Sequence, residues 1–372
     1  MSTSLLPLLF ASCPSPPPRP RAVLLAYTWG SGPSSCSPYF IRSWVALPPS
    51  ERANTDLRIL WEGSVAPCAG EPVGADAQFI KMPDDVLKTL KATKLNPAAY
   101  RMRAFTWWLA LPEAKARNYG YVGVLDTDMI FQSDLFDALH AYTTEHGIQQ
   151  EEVLHLVSEN PAERNGLYTA RRLHLDSRCD VPLTDFLMNN HIVSKTPAVG
   201  GAGRRLRGAA KAPVYTPLYN TTAFWGRFGD THRLNFGSMF GTHAAMVALC
   251  EQVVDVLVGP MAFCWDQGML NILVWTNLLT FGPRGAPPKV YVWDCFEGPV
   301  KTLDVGGLRD EKGRFYNERG ALYPLVHQFR ATRQSKFVKA LAHVFPQREP
   351  SAGRAGERLH YQQYDSCPVG GG

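Results

Sequence analysis

The chain has 372 residues, 45% of them hydrophobic and 19% charged, enough for one large domain or two ordinary ones around a substantial core. Thirty-eight basic residues against 33 acidic ones leave a net charge of +5, which favours anionic ligands mildly and gives no reason to expect nucleic acid as a partner. Eight cysteines with no CxxC pair argue against a zinc knuckle and leave disulfides open.

Residues 1–20, with the run SPPPRP, read as a stiff proline-rich lead without a fold of its own. The apolar run at 5–10 is short for a signal peptide, lacks a preceding basic residue and contains Pro7. Residues 22–27 form a buried strand, ended by Thr28-Trp29-Gly30-Ser31-Gly32. A helix is expected over 39–47, stopped by Pro48-Pro49, with strands at 57–61 and 77–81. Pro83-Asp84-Asp85 opens another helix, since proline is tolerated in the first turn and acids suit the N-terminal end. A further helix covers 97–111, with Phe105, Trp108 and Leu109 on one face, and leads to strands at 121–125 and 153–157.

Residues 195–211, KTPAVGGAGRRLRGAAK, carry five Lys/Arg and read as a mobile surface insertion, or as a lid or contact for an anionic acceptor. Asn220-Thr221-Thr222 is the one glycosylation sequon. The longest apolar stretch, 244–265, holds Glu251 and Asp255 and reads as an amphipathic helix, so no transmembrane span is expected. Residues 347–372 are poor in apolar side chains and read as a disordered tail. Strands alternating with helices imply an α/β fold, a mainly parallel central sheet with helices on both faces. Such sheets bind ligands beyond the carboxyl ends of their strands.

The segment GYVGVLDTDMIFQSDLF, 120–136, places Asp126 and Asp128 at such an end. One reading is a turn in which the aspartates cap a following helix. The other begins from repulsion: two neighbouring carboxylates call for a positive charge between them, and a divalent cation supplies it. Oxygen ligands suit Mg²⁺ or Mn²⁺, Mn²⁺ also accepts a histidine nitrogen, and positions left open are commonly filled by substrate phosphates. The metal's use would be to neutralise charge on a departing diphosphate.

Four segments, in order, carry a family resemblance. VLDTDMIFQSDLF resembles the DxD segment of GT-A nucleotide-diphospho-sugar glycosyltransferases, with the apolar helix start that follows it. Leu234-Asn235-Phe236-Gly237-Ser238-Met239-Phe240 resembles their LN[ST]G strand. Trp265-Asp266-Gln267-Gly268-Met269-Leu270-Asn271 resembles the DQxxLN segment of the glycogenin-like glycosyltransferase family eight, and Tyr323-Pro324-Leu325-Val326-His327-Gln328-Phe329 their final apolar run ending in a metal-binding histidine. Family eight continues that histidine as HxGxxKPW; this chain reads HQFRATRQSK, and its VHQF resembles more distant GT-A relatives.

The resemblance implies a GT-A (Rossmann-like) domain over 21–346, with a nucleotide-binding half at about 21–135 and an acceptor half at about 136–346. It implies that Asp126 and Asp128 hold Mn²⁺ or Mg²⁺ with His327 as third ligand, and that Asp126 also lies near the nucleotide ribose. Asn235, Asp266 and Gln267 would face the transferred sugar or acceptor; their plainer roles are turn cap and helix N-terminus. Arg101 or Arg103, two positions apart and so pointing in different directions, would reach the donor, and Lys336 the diphosphate. Tyr27 and Trp29 would stack on the base, or belong to the core. The implied partners are a nucleotide-sugar donor, UDP-linked, and a glycan, protein or small-molecule acceptor, with retention of configuration. A haloacid-dehalogenase-type phosphatase would need DxDGT or DxDxT, and Asp128 is followed by Met129-Ile130. A non-catalytic GT-A-like protein that binds a nucleotide sugar or glycan is the remaining alternative. Compartment, secretory pathway or cytoplasm, stays open.

Overall fold

The structure, a computed structural model, describes residues 19–28, 38–63, 76–92, 96–145, 153–159, 165, 177–190, 222–279, 289–293, 298–302, 308–309, 314–317 and 320–327. Trp29, Lys336, the basic segment 195–211, Asn220 and the tail 347–372 lie outside these residues.

The strands in chain order are β1 (Ala22–Thr28), β2 (Thr55–Trp61), β3 (Ala77–Lys81), β4 (Tyr121–Leu125), β5 (Ile130–Phe131), β6 (Val153–Ser158), β7 (Leu234–Thr242), β8 (Lys289–Trp293), β9 (Val300–Thr302), β10 (Leu308–Arg309), β11 (Phe315–Tyr316) and β12 (Leu325–His327). Seven of them form one sheet in the order β3-β2-β1-β4-β7-β6-β8. β1 pairs in parallel with β2 and β4, β2 with β3, and β6 with β8; β7 alone runs against its neighbours β4 and β6. The fold is therefore α/β with a mainly parallel sheet, as expected. That sheet crosses from the first part of the chain to the second through the β4–β7 pair.

Both faces are covered. Helices α1 (Pro38–Ala46), α2 (Pro49–Arg52), α3 (Asp84–Ala92), α4 (Pro97–Leu109), α5 (Pro112–Ala116) and α6 (Leu135–Glu145) precede three later ones that matter here, Ser177–Asn189, His243–Val256 and Asp266–Trp275. On one face, Met102, Phe105 and Trp108 of α4 pack with Met246, Leu249 and Val253 of His243–Val256 and with Leu270 and Leu273 of Asp266–Trp275. On the other, Phe40, Ile41 and Trp44 of α1 and Leu135, Phe136 and Leu139 of α6 share a core with Phe131, Val300 and Leu325. These last three come from a small second sheet, β5-β12-β9.

Two expectations are corrected. The helix expected over 97–111 ends at Leu109, because Pro112 starts α5, a position where its missing N–H is no loss. The helix expected over 244–265 stops at Val256: Gly259 adopts a positive φ of 59°, Pro260 follows, and Gly259–Phe263 is a 3₁₀ turn. At the first described residue, Arg19 forms ion pairs with Asp134 and Asp137.

The turn before Asp266 is stapled to helix Ser177–Asn189 by a Cys179–Cys264 disulfide, both residues fully buried. Asn96, just before α4, donates from Nδ2 to the carbonyls of Ala262 and Cys264 at 2.9 and 2.8 Å. A cross-link closing a loop of this length typically contributes about 2–4 kcal/mol. Cys179→Ser should therefore lower unfolding free energy in urea by that amount, and reduction should lower the wild type but leave the variant unchanged.

Candidate metal centre

β4 ends at Leu125, paired with Ser238 of β7, and Asp126 continues the ladder by donating its N–H to the Gly237 carbonyl at 2.8 Å. The two carboxylates of Asp126-Thr127-Asp128 do not cap the next helix. That duty falls to Asp134, whose Oδ1 accepts from Phe136 N–H at 2.7 Å and Asp137 N–H at 3.1 Å. The capping interpretation of the DxD pair is thus met by a different aspartate.

His327 closes the site from the small sheet. β12 pairs antiparallel with β5, which lies only a few residues after Asp128, and parallel with β9. Gln132 fastens the approach to β12: its Nε2 donates to the Tyr323 carbonyl at 2.7 Å and its backbone N–H to the Pro324 carbonyl at 2.8 Å. His327 Nε2 consequently stands 3.6 Å from Asp126 Oδ2 and 3.6 Å from Asp128 Oδ1. One ligand atom from each of the three residues fits within a 4.8 Å cluster. The His327 side chain is 5% exposed and that of Asp126 35%, so a ligand can enter from the aspartate side.

Glycine is required beside this cluster. A Cβ on Gly237 would lie 2.3 Å from Asp126 Oδ2 and 2.7 Å from His327 Nε2, inside the volume the ligand atoms occupy. Two residues earlier on the same strand, Asn235 is 1% exposed; its Oδ1 accepts from Gly237 N–H at 2.6 Å and its Nδ2 meets His327 Nδ1. This amide orientation makes Nδ1 the acceptor, leaving the ring proton on Nε2, between the two aspartates. Metal ligation through Nε2 needs the proton gone or moved to Nδ1, where an Asn235 amide turned end for end would accept it. Asn235, expected to face sugar or acceptor, here orients the histidine.

Arg101 is the arginine of α4 that reaches the site. It is 6% exposed, contacts Asp126 through Nη1, donates from Nη2 to the Phe236 carbonyl at 3.0 Å and lies 4.5 Å above the Phe236 ring. Arg103, two residues on, is exposed on the helix surface. Gln267 donates from Nε2 to the Leu234 carbonyl at 2.8 Å, so its amide ties helix to strand. Asn271, to which the sequence reading gave no role, clamps the same strand from the buried side. Its Oδ1 accepts from Leu234 N–H at 2.8 Å, and its Nδ2 donates to the Leu234 carbonyl at 3.2 Å. Tyr27 is 5% exposed within the core and its phenol is pushed up by burial, so its ring is not presented to a base.

Electrostatics follow this geometry. Burial would raise Asp126, but the Arg101 guanidinium and His327 outweigh it and hold the carboxyl below the usual range. Burial would lower His327, but Asp126, Asp128 and Glu159 raise it above the usual imidazole value. Asp266 is raised by burial and by the charge of Asp126, with Arg101 opposing. Glu159 is held by Arg233 at 2.5 Å. Two carboxylates and one imidazole, around a space only glycine leaves open, are a donor set suited to a divalent cation such as Mg²⁺ or Mn²⁺.

No protein-family profile and no curated protein matches the chain by sequence. Among solved structures, mouse xyloside xylosyltransferase 1 in its apo form aligns with a TM-score of 0.36 at 12% identity, covering 76% of this chain and 88% of that one. A glycosyltransferase involved in the glycosylation of the major capsid of PBCV-1 also aligns with a TM-score of 0.36 at 12% identity, covering 87% of this chain and 99% of that one.

Two outcomes test the centre. Gly237→Ala should abolish Mn²⁺ binding, read by electron paramagnetic resonance, while far-ultraviolet circular dichroism is retained; Asn235→Ala should weaken it about 10–100-fold. In the metal-free protein, the raised His327 contributes stability fully present below about pH 6.5 and lost as pH rises through its folded-state pKa. Protons compete with the metal in that window, so Mn²⁺ affinity should fall on acidification beginning above about pH 6.5, and His327→Gln should remove that step.

Proposed function

We propose that the chain is a metal-dependent glycosyltransferase that moves a sugar from a nucleotide-diphosphate donor, UDP-linked, to an acceptor hydroxyl with retention of configuration. The observation that carries this reading is the convergence of Asp126, Asp128 and His327 at the carboxyl end of β4, beside the strand where the sheet reverses direction. In open α/β sheets ligands bind beyond the carboxyl ends of the strands where the strand order switches, here between β1 and β4. The DxD resemblance supplies the donor class.

Asp126, Asp128 and His327 would hold the ion, which when bound supplies positive charge to the leaving diphosphate. Arg101 does two things for the chain itself: it neutralises part of the excess negative charge at Asp126 and keeps that carboxylate ionised for ligation. The buried ring of His327, the Asn235 amide behind it and the Gly237 gap fix the direction from which the diphosphate can approach. Asp266 begins its helix next to this group and is electrostatically coupled to both Arg101 and Asp126, which fits a place on the sugar side of the donor. Retention, which the family resemblance implies, needs no strong enzymic base, since the departing phosphate can take the acceptor proton. Positioning and leaving-group electrostatics then provide most of the acceleration. The buried Cys179–Cys264 bond fits folding in an oxidising compartment such as the secretory pathway.

Calorimetric titration of UDP with and without Mn²⁺ tests the reading. Binding should require the ion and should disappear in the Asp126→Ala/Asp128→Ala double variant. Release of UDP from a panel of UDP-sugars then reports turnover. Metal-dependent UDP binding without turnover of any sugar would instead favour a non-catalytic binding protein, and absence of nucleotide binding with Mn²⁺ present would overturn the proposal.

A further inference from the structure

The opposite end of the sheet carries a second concave feature, unrelated to the metal centre. Arg21 precedes β1, Asp56 opens β2 and Arg117 leads into β4, so all three sit at the amino ends of strands whose carboxyl ends face the aspartate pair. With Arg52 and Pro49 of α2, Ala53 and Asp76 they line a cavity of about 320 Å³. That volume is at the lower end of small-molecule pockets, roughly 300–1,000 Å³.

The hydrogen-bonding capacity left over in this cavity lies mainly on the donor side. Asp56 accepts from Arg21 Nη2 at 2.8 Å, Arg21 Nε at 3.4 Å and Tyr119 Oη at 2.5 Å, and Arg58 Nη2 reaches it at 3.2 Å. Three of these donors converge on Oδ2 and one reaches Oδ1, so both oxygens are engaged. Asp76 accepts from Arg52 Nη1 on both oxygens, at 2.6 and 2.8 Å, and from Trp44 Nε1 at 2.7 Å. Both carboxylates are thus engaged. On the donor side, Arg21 Nη1 and Arg52 Nη2 take part in no hydrogen bond among the described residues. Arg117 reaches Asp56 only at 3.7 Å, beyond hydrogen-bond distance, with its side chain 47% exposed. Three guanidinium groups line the cavity against two aspartates, and the buried Arg58 lies behind Asp56.

We infer that this cavity is an oxyanion site, taking a phosphate group, free or as the ester of a small molecule, between Arg21, Arg52 and Arg117. Forked guanidinium donors match the paired oxygens of a tetrahedral anion. Arg117 is the principal ligand, since its donors are least committed to the fold. The location at the amino ends of the strands separates this group from the diphosphate of the proposed donor, so the site stands whether or not the transferase reading does.

The test uses the full chain with EDTA present, which disables the metal centre. Inorganic phosphate and glucose 6-phosphate are titrated calorimetrically and by thermal melting, against sodium chloride at matched ionic strength. One saturable site is expected, with a melting temperature that rises with ligand concentration. Arg117→Gln should weaken it about tenfold or more, Arg117→Lys should recover part of the loss, and Asp126→Ala/Asp128→Ala should leave it intact. Tighter binding of the ester assigns the site to a phosphorylated small molecule, and tighter binding of the inorganic ion to free phosphate. Effects no larger than those of chloride, indifference to Arg117→Gln, or loss in the double aspartate variant would each overturn the inference.

Discussion

Two carboxylates one residue apart at the end of a buried strand are the constraint around which this molecule is arranged. With ligand oxygens within 4.8 Å, their mutual repulsion is of the order of 3–4 kcal/mol at an effective dielectric near 20. The chain offsets that repulsion twice. Arg101 comes in from α4 on one side, anchored by the Phe236 carbonyl and ring, and His327 comes in from the small sheet on the other. Each needs an independent stretch of tertiary structure to arrive.

The segment after the aspartates supplies much of that structure. Ile130 and Phe131 give β12 an antiparallel partner, and Gln132 holds the residues leading into it. Asp134 caps α6 and receives Arg19 from the lead of the chain. A short run of sequence therefore places the carboxylates, guides the histidine to them and ties down the first described residues. The opposing wall is equally economical. Asn271 and Gln267 grip the start of β7 at Leu234, which sets Asn235 behind the histidine and Gly237 beneath the ligand atoms.

Several features were legible in the residues themselves. Strand positions at 22–27, 57–61, 77–81, 121–125 and 153–157 agree with β1, β2, β3, β4 and β6 to within two residues, because all but the partly exposed edge strand β3 are buried and largely apolar. Helix lengths were less accessible, since positive φ at Gly259 and a proline at a helix start are decided by local backbone geometry. The antiparallel course of β7 was hidden because an apolar strand reads the same in either direction. Gly237 and Asn235 lie two apart on one strand face, and that spacing was visible without revealing what the face would meet.

The sequence alone determined the alternation of strands and helices, the place of Asp126 and Asp128 at a strand end, and the chemical sort of ion that oxygen and imidazole ligands suit. These follow from local patterns, periodicity and the valence of side chains. Tertiary structure decided which residues share the site. It brought Arg101 rather than Arg103 to Asp126, buried Tyr27 in the core, set the Asn235 amide against His327, joined Cys179 to Cys264 and gathered arginines from three separate segments at the far end of the sheet. The physical reason is that each of these depends on contacts between residues distant in the chain, and burial, hydrogen-bond partnership and excluded volume belong to the folded arrangement.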